Sequence, residues 1–246
     1  MQLQIGWYDV FFLYNKSRVN EMNCRTNIQY LRRMRKKMAQ EALAGKLGVS
    51  RQTISKWELH QGNPEIGKIK EICALFNCTA DELLFGNISI VNKAYSEITI
   101  EPLEAFSYIK YTVISQEPED DAIDRVKHLA EKLNIFKPRV IGWDFPHLSQ
   151  EQISVYHMHG YTAALVLPEE IEGKTELFTV EKQNAQNYVT ITITNPMENP
   201  FHLISNAYKS AFQYINVNRY VYDHFAFENH YQENGREYMK IYVAIK

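Results

Sequence analysis

The stretch that decides the first part of the fold is Gln40 to Glu58, QEALAGKLGVSRQTISKWE. Leu43, Leu47, Val49, Ile54 and Trp57 recur at helical spacing and form an inward seam. Two helices crossing around a short turn need a small residue at the contact, and Ala44 supplies it. Gly48 ends the first helix, where a residue without a Cβ adopts the left-handed conformation cheaply. Ser50 stands at the N-cap of the second, its hydroxyl placed to accept from a backbone N–H. Arg51, Gln52, Ser55 and Lys56 remain on the outward face. Side chains of these types donate to guanine edges, pair with adenine or hold phosphate. A plain helical hairpin with a polar outer face would leave the joint agreement of spacing, turn, cap and polar set unexplained.

Outward from this core the pattern stays helical from Asn27 to Leu84, with helices expected over 27–37, 40–47, 51–58, 64–76 and 80–85. Asn63-Pro64 reads as a cap followed by proline at the first helical position, and Thr79-Ala80-Asp81-Glu82 as a capping box. Charge follows the same division. Residues 25–85 hold eleven Lys/Arg against six Asp/Glu, a net of +5, whereas 86–246 hold fourteen against twenty-one, a net of −7. A basic module joined to an acidic one suggests that only the first meets a polyanion. Arg32, Arg33, Arg35, Lys36 and Lys37 on the first helix either steer that module to DNA or form a solvated basic face.

Residues 27–86 closely resemble the Cro/repressor-like (Xre) helix-turn-helix family, through the quoted stretch and the following LHQGNPEIGKIKEICALFNCTADELL. The resemblance implies that Gln40 holds phosphate from the start of the second helix. It places Arg51, Gln52 and Lys56 toward bases, Thr53 and Ser55 nearer the backbone, and Asn63 in a phosphate-facing loop. With the capping Ser50, these form the expected DNA-contacting set. Gly45 departs from the family, which has a charged helix former there, and should weaken its helix by up to about 1 kcal/mol relative to alanine.

Beyond a break at Gly86-Asn87, β-branched and aromatic residues dominate. The order strand, helix, strand, strand occurs twice. The first copy is expected at 98–114, 121–134, 139–145 and 154–167, the second at 188–194, 200–216, 219–228 and 237–245, with a short strand at 177–180 between them. Ile123, Val126, Ala130 and Leu133 give one helix its apolar stripe, and Ile204, Ala207, Ala211 and Ile215 the other. Similar order without clear identity is a modest sign of internal duplication.

The strands carry many aromatics, which suit either a flat, cationic ligand or simply a Tyr/Phe-rich core. Residues 98–246 look like the gyrase-inhibitor-like (GyrI-like) effector-binding domain, through IGWDFP at 141–146, HGYTAALVLPE at 159–169, FEN at 227–229 and EYMKIYVAIK at 237–246. The resemblance implies two strand–helix–strand–strand halves around a cleft with Glu228 facing into it. The expected ligand-binding set is Trp143, Phe145, Tyr156, Tyr161, Phe227, Glu228 and Tyr242, for a small lipophilic, cationic molecule. His157 and His159 share one strand face, but two such residues do not make a zinc site, and Cys73 and Cys78 have no second pair. No metal or cofactor is expected, nor a Ser-His-Asp order or glycine-rich phosphate loop.

The expected fold is therefore α+β and multidomain: an unassigned extension (1–25), a five-helix all-α domain (26–86), a linker (87–97), and a duplicated β-α-β-β domain (98–246). Three cysteines make no disulfide framework, and WYDVFFLY at 7–14 is interrupted by Asp9 without a cleavage site, so a signal peptide is not expected. The reading is a cytoplasmic, non-enzymatic regulator that binds operator DNA as a homodimer, senses a small molecule, and does not enter membranes. Hydrolysis of a reactive small molecule, or a protein-interaction module, are the alternatives for the second domain.

Overall fold

The structure, a computed structural model, describes residues 23–86, 88, 93–169, 171 and 178–246. Residues 1–22 of the expected extension, part of the expected linker, and Leu177 lie outside the described residues. Helices α1 (Cys24–Met34), α2 (Gln40–Leu47), α3 (Arg51–Glu58), α4 (Ile66–Phe76) and α5 (Ala80–Phe85) close around one core. Leu43, Ala44, Leu47, Ile54 and Trp57 are all buried, and Val49 packs at their edge. The five expected helices are present.

Three helix boundaries move. Helix α1 starts early because Asn27 donates its amide to the carbonyls of Glu82, Leu83 and Gly86, fastening the first turn to α5. It ends early because Lys36 and Lys37 turn left-handed. Helix α4 begins at Ile66 rather than Pro64, since the Asn63 side chain is taken by Arg25 and caps nothing.

The second domain contains β1 (Thr99–Leu103), β2 (Phe106–Ser115), α6 (Pro118–Lys132), β3 (Arg139–Asp144), α7 (Gln150–Ser154), β4 (His159–Val166), β5 (Glu181–Gln183), β6 (Gln186–Thr194), α8 (Pro200–Asn218), β7 (Tyr222–Glu233) and β8 (Arg236–Ile245). The expected strand over 154–167 starts only at His159. Ser149 and Gln152 form a capping box that opens α7 instead, and His157 is left-handed. No strand forms over 178–180, the described part of the short strand expected at 177–180; a three-residue strand, Glu181–Gln183, follows it instead. Asn234 and Gly235, both with positive φ, make the tight turn between β7 and β8.

All eight strands join one antiparallel sheet in the order β1-β6-β8-β7-β3-β4-β2-β5. The duplication is visible as β2-α6-β3-β4 and β6-α8-β7-β8, and the halves meet where Ile141 pairs with Asn229 and Gly142 with Glu228. Helix α6 covers Ile109, Val113, Ala163 and Leu165, while α8 covers Val189, Ile191, Met239, Ile241 and Val243. Alternation along the paired strands puts both helices on the same face.

Connection lengths dictate the shape of this sheet. Strands β1 and β2 lie six positions apart in the order, about 29 Å across a flat sheet. Only Glu104 and Ala105 join them, and three residue steps reach at most about 11 Å. Asn184 and Ala185 tie β5 to β6 in the same way. The sheet must curl until its two edges approach, with the face away from the helices inside the curl. Tyr188, Phe227, Tyr242 and Tyr108 fill that interior, with Phe227 and Tyr242 stacked 4.7 Å apart and Tyr188 edge-on to both.

The end of α8 leaves its own domain. Val217 is 1% exposed and belongs to the five-helix core. Asn218 donates to the Met34 carbonyl of α1 at 3.2 Å, and Arg219 to the Ala74 carbonyl of α4 at 3.4 Å. Arg35 reaches the next carbonyl of α4, Leu75. Among the described residues no helix is long and apolar enough to cross a membrane.

Gly45 is exposed within α2, and a Cβ there would meet nothing within 4 Å. Gly45→Ala should therefore stabilise the chain by about 0.5–1 kcal/mol in chemical denaturation, through helix propensity alone.

Candidate functional site

The first candidate surface is the outward face of α3. Ser50 accepts from the Thr53 backbone N–H at 3.1 Å, and the two hydroxyls lie 2.9 Å apart, so both side chains serve the cap. Arg51, Gln52 and Lys56 are exposed and Ser55 is half-buried. Helix α3 is held from behind by Glu58, whose carboxylate takes a bidentate pair from Arg32 of α1 at 2.7 and 2.9 Å. Gln40, at the first position of α2, donates to the same carboxylate at 2.9 Å, and Arg32 also donates to the Met38 carbonyl. One buried anion thus sets the relative placement of three helices. Burial alone would raise the Glu58 pKa, but the hydrogen bonds from Arg32 and Gln40 and the Arg32 charge hold it below the usual 4.5.

Around this face, Asn63 is exposed in the loop after α3 and accepts from Arg25 Nε at 3.2 Å, while Arg25 Nη1 lies 2.8 Å from His60 Nδ1. The run of five basic residues expected on the first helix straddles its end at Met34 and does not act as one patch. Arg32 turns inward to Glu58 and Arg35 to α4, leaving Arg33, Lys36 and Lys37 outside. Cys24, Cys73 and Cys78 gather in the core, where burial pushes the Cys24 and Cys78 thiols up to about 11 and about 12. Thiols held protonated in this way are inert packing groups.

The second candidate is a cleft on the helix-bearing face of the sheet, between α6 and α8. Glu228 lies at its floor, 8% exposed, opposite Gly142. Tyr208 of α8 donates to Glu228 Oε1 at 3.0 Å, and His230 Nε2 lies 3.5 Å from Oε2. The Tyr161 ring crosses over Gly142 so closely that a Cβ there would lie 1.9 Å from its hydroxyl, so only glycine admits it. Asp144 continues the same face of β3 and pairs with Tyr161, and Glu119 comes from the first turn of α6. Burial of the carboxyl, then Glu228 and Glu119, push Asp144 up to about 7, although the residue as a whole is exposed. Burial and Glu228 also raise Glu119, opposed by His230.

The expected ligand-binding residues divide between the two faces. Tyr161 and Glu228 share the cleft. Trp143, Phe227 and Tyr242 point away from it into the curl, where Trp143 meets Phe225 edge-on at 5.5 Å. Phe145 lies just past the end of β3, its ring against His147, and Tyr156 is 50% exposed on the connection before β4. Asp144, Glu119, Tyr208 and His230 are the cleft residues that sequence reading missed. Counting by two from Glu228 reaches His230 and excludes Phe227; nothing local points to the two helical residues. Among the described residues no group of three or more His, Cys, Asp or Glu is disposed to hold a metal ion.

Residues 28–83 match the helix-turn-helix family. The N-terminal domain is a helix-turn-helix domain. Over 74 residues, 30% of this chain, the sequence is 39% identical to the HTH-type transcriptional activator BcrR of Enterococcus faecalis, and the match spans only 36% of that protein. The EcmrR–DNA complex overlaps 84% of this chain and 81% of its own, at 13% identity and a TM-score of 0.45. SAV2435 bound to tetraphenylphosphonium overlaps 61% of this chain and 94% of its own, at 11% identity and a TM-score of 0.38.

Removing the charge of Glu58 leaves Arg32 buried without a counter-charge, so Glu58→Gln should cost roughly 3 kcal/mol at pH 7. The folded pKa is depressed, so this contribution is present above the ordinary carboxylate value and lost as pH falls through the folded one. Parallel denaturation series should accordingly converge for the two proteins at acid pH.

Proposed function

We propose that the chain is a one-component transcriptional regulator whose helix-turn-helix domain reads operator DNA and whose second domain senses an organic cation. The observation that carries the first half is the exposed set Arg51, Gln52 and Lys56 on a helix otherwise locked into its domain by Glu58. The likeness of that segment to an activator of the same domain type supports it. Ser50, Thr53, Ser55 and Asn63 surround the reading face and fix its register through backbone and phosphate contacts, whereas Gln40, expected to hold phosphate, commits its side-chain amide to Glu58. An eight-residue helix covers little DNA, and a homodimer on a two-fold operator supplies the missing affinity. The cytoplasm is where such a protein meets its DNA.

Glu228 is the natural counter-charge for the cation, with the Tyr161 and Tyr208 rings beside it. Helix α8 then connects ligand to DNA, since it carries Tyr208 at the cleft and Val217 and Asn218 in the helix-turn-helix domain. A ligand that displaces the Tyr208 hydroxyl from Glu228 distinguishes two placements of α8, and only such differential affinity can shift DNA binding.

Selection from random oligonucleotides should yield a defined site for the full chain, with Gln52→Ala relaxing preference at one base pair by about 1–3 kcal/mol. Absence of any selected site even at low salt would remove the DNA-reading assignment. Glu228→Gln should weaken binding of cationic ligands while leaving DNA selection intact. Turnover of a bound compound that depends on Glu228 would instead make the cleft a hydrolytic site. In Asn218→Ala the ligand should still bind, but the change it causes in DNA affinity, typically 5–150-fold in coupled systems, should shrink.

A further inference from the structure

Arg25 lies in the first turn of α1, yet its guanidinium reaches the loop that follows α3, 35 and 38 positions further along the chain. Nη1 donates to His60 Nδ1 at 2.8 Å and Nε to Asn63 Oδ1 at 3.2 Å. Arginine carries donors only, so both atoms it contacts are acceptors. His60 Nδ1 is therefore unprotonated, and the neutral ring holds its proton on Nε2. Asn63 Oδ1 is occupied in the same way, which turns the Nδ2 amide away from the guanidinium. His60 and Asn63 are both exposed. What they offer outward is a pair of donors, an imidazole N–H and an amide NH2, beside a fixed positive charge. Donors set next to a cation suit an anionic oxygen.

The place of this group in the fold supplies the anion. The loop turns directly off the end of α3, where the Gln61 N–H donates to the carbonyl of the exposed Lys56 at 2.9 Å. Eight residues of helix extend about 12 Å, and a major groove is about 12 Å wide. A loop leaving a groove-bound α3 is thus carried to the phosphate rim rather than onto further bases. A separate observation marks the imidazole itself. His60 is left-handed, with a φ of 64°, a conformation that favours glycine. A loop needed only for its shape would be served better by glycine at this position.

We propose that Arg25, His60 and Asn63 form a preorganised clamp for the DNA backbone. The His60 Nε2–H and the Asn63 amide grip a phosphate, and Arg25 is the positioning residue that aims both. This rests on the DNA-reading assignment of α3 and adds to it Arg25 and His60, which lie outside the set implied by the helix-turn-helix resemblance. A contact to phosphate carries no sequence information, so the clamp strengthens binding to operator and unrelated duplex alike.

The test measures binding of the full chain to a duplex carrying the selected operator and to a random-sequence duplex of equal length, by fluorescence anisotropy over a range of KCl concentrations. His60→Gly removes the imidazole and suits the left-handed backbone. It should keep the thermal midpoint yet weaken both duplexes by a similar factor, about three- to tenfold. Arg25→Lys keeps the charge, but one ammonium does not reproduce the two directed donors of the guanidinium, and it should lose about as much. Because the residues act as a unit, the double variant should lose little more than either single one. The slope of log affinity against log salt should stay the same throughout, since neither change removes a charge. Unchanged affinity in His60→Gly, losses that multiply in the double variant, or a loss confined to the operator overturns the clamp and leaves the reading face of α3 standing. Failure of the native chain to bind either duplex at low salt overturns the DNA-reading assignment and the clamp together.

Discussion

Helix α8 belongs to two hydrophobic cores at once, and the arrangement of the whole molecule follows from that sharing. One side of the helix, through Leu203, Ala207, Ala211 and Ile215, packs on the sheet. Its last turn places Val217 among the helix-turn-helix residues, and Tyr214 touches both clusters. A nineteen-residue helix spans about 28 Å, so one rigid element joins the cleft to the DNA-reading domain. Close-packed interfaces shift between discrete arrangements rather than deforming smoothly. Under the proposed function, a rearrangement at Tyr208 would be transmitted to where Asn218 meets the end of α1.

The molecule uses carboxylates in two opposite ways. Glu58 is fully satisfied by Arg32 and Gln40, and its role is to fix α3 against α1 and α2. Its pKa is depressed and it has no spare capacity for chemistry. Asp144 and Glu119 form the reverse case, carboxyls whose ionisation is disfavoured by burial and by the neighbouring Glu228 charge. Satisfied networks specify structure, whereas under-compensated ones in a cleft mark places where something else is meant to bind.

The two domains were unequally legible in the amino-acid sequence, for physical reasons. The helix-turn-helix is built from local periodicity, caps and a left-handed glycine, so residues 40–58 specify it almost alone. Two of its boundaries moved where distant groups intervened, Arg25 removing Asn63 from its cap and Asn27 fastening α1 to α5, and one where Lys36 and Lys37 turn left-handed. The duplicated strands and helices were also readable from pattern. The ligand residues were not. Phe227 and Glu228 are adjacent on one strand and cannot share a face, a rule already present in the sequence that an aromatic wall around Glu228 ignored. The destination of the other rings depends on the sheet curling, which becomes visible only once strand order is set against the lengths of two short connections. Tyr208 and Glu119 reach the cleft from helices whose direction no local pattern states.

Those two short connections have a further effect. The outermost strands of an open sheet expose unpaired backbone groups, a template on which foreign strands can assemble into aggregates. Here the rims are drawn toward each other, one is only three residues long, and the other contains Pro102, which has no N–H to offer. Residues 104–105 and 184–185 thus act as sutures that shape the aromatic interior and also leave little rim for misassembly.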